Sequence, residues 1–137
     1  MRNRPLAVVI LLVWVTVAMA VGAETEKQRT VRFLKFEATI RPTYGGTWKA
    51  AGHLKFKEKV SDEKAWLLAK AYFYRFISGC GYVELPLDKG DKWLFNTAFG
   101  DLGSPGPKIW VDKKSGDTWS PGKMRVTDRR IYLKIKA

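Results

Sequence analysis

The sequence predicts an α+β fold: one main helix packed on a curved antiparallel sheet, preceded by an N-terminal β-hairpin. Three observations carry that expectation. Apolar residues alternate in steps of two across 31–58 and recur in steps of three and four across 62–79. Short alternating runs then return from Tyr82 onward, separated by Gly- and Pro-rich turns.

Residues 1–23, MRNRPLAVVILLVWVTVAMAVGA, have the order of a secretory signal. Arg2 and Arg4 come first, then an apolar run from Leu6 to about Ala20, then small residues that offer cleavage after Ala18-Met19-Ala20 or Val21-Gly22-Ala23. An uncleaved membrane anchor is the alternative, although the apolar run lies at or below the usual spanning length. No cysteine stands at the cleavage site to take a lipid; the one cysteine is Cys80. The expected organisation is a signal peptide over 1–23, a flexible linker over 24–30 and a single domain over 31–137, exported to the periplasm or the extracellular space.

The whole chain carries a formal charge of +12, from 25 Lys and Arg against 13 Asp and Glu. Residues 1–23 hold two of the basic residues and none of the acids, so about +10 remains on the other 114 residues. A basic exported domain can meet anionic lipid, cell-wall polymer, nucleic acid or an acidic protein. The lysines are scattered, with no block of like charge, which favours a dispersed, solubilising field. A lone cysteine forms no internal disulfide, so a chain of this length must rely on its apolar core.

In the segment VRFLKFEATIRP, Leu34, Phe36, Ala38 and Ile40 share one strand face; Pro42 and Gly45-Gly46 end it. In TWKAAGHLKFKEK, Trp48, Ala50, Leu54 and Phe56 oppose Lys49, His53, Lys55 and Lys57. Strands at 31–41 and 47–58 therefore form the expected hairpin. At SDEKAWLLAKAYFYRFISG the period lengthens. Ser61 or Asp62 caps a helix, Asp62 and Glu63 occupy its first turn, and Ala65, Leu68, Ala69, Tyr72, Phe73 and Phe76 form its apolar stripe. Gly79 ends it. Then follow YVELPL, broken by Pro86; the turn DKGD; KWLFNTAF, with Trp93, Phe95, Thr97 and Phe99 on one face; the loop GDLGSPGP; KIWVD, the turn KKSG and DTWS; and RIYLKIKA, a last strand presenting Ile131, Leu133 and Ile135.

The stretch GPKIWVDKKSGDTW, from Gly106 to Trp119, holds the candidate contact residues. Asp112 can accept backbone N–H groups across the turn, and Gly116 can supply its left-handed position, so both are assigned to turn structure. Trp110 and Trp119, with Lys108, Lys113 and Lys114, form a candidate partner-binding surface if one face of the sheet is open. Catalytic signals are weak. One His and one Cys make no metal set, and a His53–Cys80 nucleophile pair is better explained by a packed thiol and a solvated imidazole. No phosphate loop, dinucleotide fingerprint or nucleophile elbow occurs. No catalytic residue, metal or cofactor is expected.

The order of features from Asp62 to about Met124 resembles the small bacterial immunity proteins with a nuclear transport factor 2-like fold. The matching positions are Ala65, Ala69, Tyr72, Gly79, Pro86, Trp93, Gly100, Gly103, Ile109, Asp112, Lys114 and Gly116. The same half is similar to a PepSY-type module, whose VDxxTG hairpin would match Val111, Asp112, Ser115 and Gly116. The first resemblance implies a non-enzymatic binding protein that neutralises a toxin by steric occlusion; with the signal-like N-terminus and the basic charge, the expectation is an exported chain with a protein partner, acidic where charge steers the encounter, and no nucleic acid. The second implies a periplasmic module modulating a protease or an envelope partner. A small cavity enzyme of the first fold, with Tyr72, Tyr74 and Asp101 as conceivable parts, is the remaining alternative.

Overall fold

A computed structural model describes residues 22–134. The expected signal peptide lies almost wholly outside the described residues, as does Ile135. The chain divides into two compact units, Met1–Arg32 and Phe33–Ala137. In the described part of the first, Arg32 holds Glu24 through an ion pair of 2.7 Å. Among the described residues, no helix is long and apolar enough to cross a membrane.

The architecture is α+β, but the segment expected as a hairpin is helical. Helix α1 spans Glu26–Tyr44 and α2 spans Thr47–His53. The linker expected over 24–30 is thus already helical from Glu26. Phe33, Phe36 and Ile40 satisfy helical spacing as well as Leu34, Phe36, Ala38 and Ile40 satisfy strand spacing. Burial shows which period the core uses: Phe33 is fully buried, Phe36 and Ile40 pack on the core, and Leu34 is 56 % exposed. In α2 the adjacent residues Ala50 and Ala51 are both buried, which a half-wet strand forbids.

Helix α3, Asp62–Tyr72, is the centre of the molecule. The Ser61 hydroxyl accepts the Lys64 N–H at its start, and Asp62 and Glu63 sit in the first turn. From Ala65 to Phe73 every side chain except that of Lys70 is buried. A helix buried all round needs cover on opposite sides. Phe33 of α1 and Ala50 and Ala51 of α2 supply part of it; Phe95, Ile109 and Val111 of the sheet supply another part. The helix then widens into a π-helical turn, Phe73–Ile77, in which the Ser78 N–H reaches the Phe73 carbonyl at 2.9 Å.

Seven short strands follow: β1 Gly81–Val83, β2 Leu87–Asp88, β3 Lys92–Phe95, β4 Thr97–Phe99, β5 Ser104–Pro105, β6 Ile109–Asp112 and β7 Thr118–Trp119. They form two antiparallel sheets, ordered β1-β4-β5 and β2-β3-β6-β7. Residues 81–99 are in effect one ribbon that changes sheet on both arms, at the buried Pro86 and at Asn96, where the Glu84 N–H reaches the Asn96 carbonyl at 2.9 Å. The break explains why the alternation expected over 93–99 fails: Leu94 and Phe95 are both buried, as are Thr97 and Ala98. The described part of the C-terminal strand expected over RIYLKIKA is instead a 3-10 helix, Arg129–Lys134, with Tyr132 fully buried.

The Cys80 carbonyl and the Glu84 N–H face β4, so the carbonyls of Gly81 and Val83 point away from the sheet. Side chains from the central helix cap both of them. The Tyr74 hydroxyl donates to Gly81 at 3.2 Å and the Trp66 indole N–H donates to Val83 at 3.2 Å. An edge whose acceptors are occupied is a poor template for a foreign strand.

Gly116 has φ +76, and a Cβ there would lie 2.6 Å from the Phe56 ring. Gly122 has φ +72 but open space around it. Left-handed strain alone should cost Gly122→Ala about 1 kcal/mol. Gly116→Ala should lose about 2–4 kcal/mol, because Phe56 must also move. Urea unfolding of the two variants measures the difference; equal losses would show that the contact with Phe56 does not matter.

Candidate functional site

Strand β6 alternates strictly: Ile109 and Val111 are buried against α3, while Trp110 and Asp112 face outward. Pairing carries that outward face across the whole sheet. Leu87 of β2 sits opposite Leu94 of β3, Leu94 opposite Trp110 of β6, and Trp110 opposite Trp119 of β7. Directly opposed residues point to the same side. One apolar row therefore crosses four strands on the side turned away from the central helix. Leu94 is buried within the row, Trp110 and Trp119 are half-buried, and Leu87 is 41 % exposed.

Two cations cover the indoles. The Lys92 ammonium lies 5.4 Å from the Trp110 ring and 5.8 Å from the Trp119 ring. The Arg125 guanidinium lies 4.1 Å from the other contact, the Trp119 ring, and is held by Asp117 at 3.1 Å. Such contacts are worth about 0.5–2 kcal/mol each, depending on how dry they are. Among the described residues, no carboxylate lies within ion-pair distance of Lys92. The sheet thus presents an aromatic strip with an ammonium over its middle that makes no ion pair, since Asp112, directly opposite Lys92, gives its carboxylate to the N–H groups of its own turn.

The five candidate contact residues do not form one surface. Trp110 and Trp119 come together. Lys108 is exposed just ahead of β6, and Lys114 is exposed in the β6–β7 turn. Lys113 belongs elsewhere: its ammonium is 2.6 Å from Asp88 and 4.1 Å from the Trp93 ring. Trp93 pairs with Val111, which places it on the inward side. Lys113 and Lys114 instead line a separate cleft with Lys57 and Lys59. Sequence reading missed Lys92 and Arg125. Lys92 could have been found by parity, two residues before Leu94; Arg125 becomes adjacent only through the pairing of Val126 with Thr118.

The turn itself is built as its residues suggest. Asp112 accepts the N–H groups of Lys114 at 2.8 Å and Ser115 at 2.9 Å, and its carbonyl accepts the Gly116 N–H at 2.9 Å. The Ser115 N–H, followed by that of Lys114, holds the Asp112 carboxyl below its ordinary pKa. Beneath the turn, the Val60 N–H reaches the Lys113 carbonyl at 2.6 Å, and the Trp93 indole N–H reaches the Val60 carbonyl at 3.0 Å.

Residues considered for chemistry are occupied otherwise. Tyr72 is fully buried and its hydroxyl donates to the Met124 carbonyl at 2.6 Å; Tyr74 serves the edge of β1. Asp101, His53 and Cys80 are exposed in three different segments. Among the described residues, no group of three His, Cys, Asp or Glu side chains is placed to hold a metal ion. No protein-family model, no curated protein and no solved structure matches this chain.

Because folding depresses the Asp112 pKa, its stabilising effect is complete above the unfolded value near 4 and is lost as pH falls through the folded value. Asp112→Ala should therefore destabilise the protein by about 1–2 kcal/mol at neutral pH. That difference from the parent should shrink as the pH is taken below about 4. Paired denaturant melts across pH 2.5–7 give the profile; a pH-independent difference would mean that the carboxylate charge is not what the turn uses.

Proposed function

We propose that this chain is an exported, non-enzymatic binding protein that engages an acidic protein partner through the outward face of the four-stranded sheet. The observation that carries the reading is the Leu87–Leu94–Trp110–Trp119 row with Lys92 seated over it. Binding surfaces draw most of their energy from a few aromatic and cationic anchors, with the surrounding contacts excluding water. Here a partner carboxylate can pair with Lys92 while the partner's apolar atoms cover the indoles. The charge of about +10 on residues 24–137 favours the encounter with an acidic surface. The partner meets a row preset by backbone pairing rather than a loop, so little order is lost on docking.

The mode of action proposed is steric occlusion, in the manner of the immunity proteins that residues 62–124 resemble. Capping of the β1 edge supports docking on a sheet face over addition of a strand to that edge.

The full chain, immobilised and exposed to the secreted and envelope proteins of the cell that makes it, should retain an acidic protein. Trp119→Ala and Lys92→Ala should each weaken that interaction about tenfold or more, whereas Lys114→Ala should leave it within about twofold. Circular dichroism confirms that the variants keep their fold. If the two sheet-face variants bind as the parent does, this surface is not the contact.

A further inference from the structure

A second feature, independent of the sheet face, lies where α1 ends, α2 begins and α3 passes beneath. A cavity of about 330 Å³ opens there, lined by Glu37, Arg41, the Gly45-Gly46-Thr47 turn, Trp48, Lys70 and Tyr74. That volume is at the lower end of small-molecule sites. Its charges do not balance. The Lys70 ammonium is 2.9 Å from Glu37, with the two side chains only 15 % and 22 % exposed. Arg41 follows Glu37 by one helical turn, so the two side chains share a face of α1. Among the described residues, no carboxylate lies within ion-pair distance of Arg41. Two cations therefore stand beside one acid, which pairs with the half-buried Lys70 and not with the exposed Arg41. Burial first, and then the charge of Arg41, oppose the ammonium form of Lys70, while Glu37 supports it.

The Lys70 ammonium also lies 3.3 Å over the Trp66 ring. Lying between that ring and Glu37, the Lys70 ammonium is positioned within the site rather than extended into bulk water. The walls are aromatic: Trp48 and Tyr74 meet edge to face, with ring centroids 5.2 Å apart. Thr47 adds a hydroxyl at the rim.

We propose that this cavity binds a small organic anion, a carboxylate on a flat apolar body, with Arg41 and Lys70 taking the charge and Trp48 and Tyr74 the apolar part. An incoming carboxylate offsets the repulsion between the two cations. A planar body suits rings that are already held in place by their own packing and by the Tyr74 hydrogen bond to Gly81.

Benzoate is the probe, with benzamide as its uncharged counterpart. In a titration of the full chain at low ionic strength, benzoate should shift the Thr47 amide and the Trp48 indole N–H saturably at concentrations up to roughly 10 mM, while benzamide should not. Arg41→Gln, a change at an exposed side chain, should weaken benzoate binding about fivefold or more. Glu37→Gln removes the competing acid and should tighten it, a gain that general loosening of the fold does not produce. The proposal is overturned if benzoate gives no saturable shift at these two residues, if benzamide binds equally well, or if Arg41→Gln leaves the affinity unchanged.

Discussion

Burial of α3 on all sides is the constraint from which the other features follow. Nine consecutive residues, Ala65–Phe73, contain one charged side chain, Lys70, and that one is itself clamped between Glu37 and Trp66. A sheet covers only one face of a helix. The residues ahead of α3 must then cover another, and the long helix α1 and the short helix α2 do so. Trp66 ties the layers together. Its ring meets Phe33 of α1 edge to face at 5.2 Å, its N–H caps the Val83 carbonyl of β1, and Lys70 lies over it. Fully burying a large apolar side chain contributes about 1.5–3 kcal/mol, so loss of one such contact removes a large part of a typical domain's stability.

This arrangement accounts for what was legible in the sequence. The helix, its Ser61 cap, the turns and most of the strands after Tyr82 follow from local chemistry that needs no tertiary information. The segment 31–58 does not, because its apolar residues fit both periods. The clue that separates them lies outside the segment, in AWLLAKAYF. Trp66, Leu67 and Ala71 stand beside the one-sided stripe of Ala65, Leu68, Ala69 and Tyr72, so the helix is apolar all round. Such a helix calls for a second covering layer, and Ala50-Ala51 and Phe33 fill it as helical faces.

The proposed contact surface was half legible for a similar reason. Local alternation is enough to put Trp110 outward and to put Lys113 on the same side as Val111. Register is not local. That Leu87, Leu94, Trp110 and Trp119 line up across four strands depends on pairings between residues up to 16 apart in the chain, the approach of Lys92 depends on the same pairings, and that of Arg125 on the further pairing of Val126 with Thr118. The turn Asp112–Gly116 shows the opposite case. Its hydrogen bonds were readable from Asp and Gly alone, yet Gly116 has a second role, giving room to the Phe56 ring, that only packing reveals.

The two cation–aromatic groupings differ in what surrounds the cation, and that difference separates their roles. Lys70 rests on Trp66 with Glu37 beside it, so its geometry is fixed from both sides, while Arg41 nearby leaves that grouping with one more cation than acid. Lys92 rests on Trp110 and Trp119 without an ion pair among the described residues, the opposed Asp112 being engaged by its own turn, and its stem shields the rings from water without closing them off. A lysine in the second state costs little to displace. A carboxylate brought by a partner can draw the ammonium aside and leave the indoles for apolar contact, so charge and apolar area are recognised together. A neutral hydrophobic surface would have to uncover the rings and leave the ammonium unpaired, which disfavours it. On the proposed reading, the ammonium over the sheet would make the aromatic row selective and limit indiscriminate association through two half-exposed tryptophans.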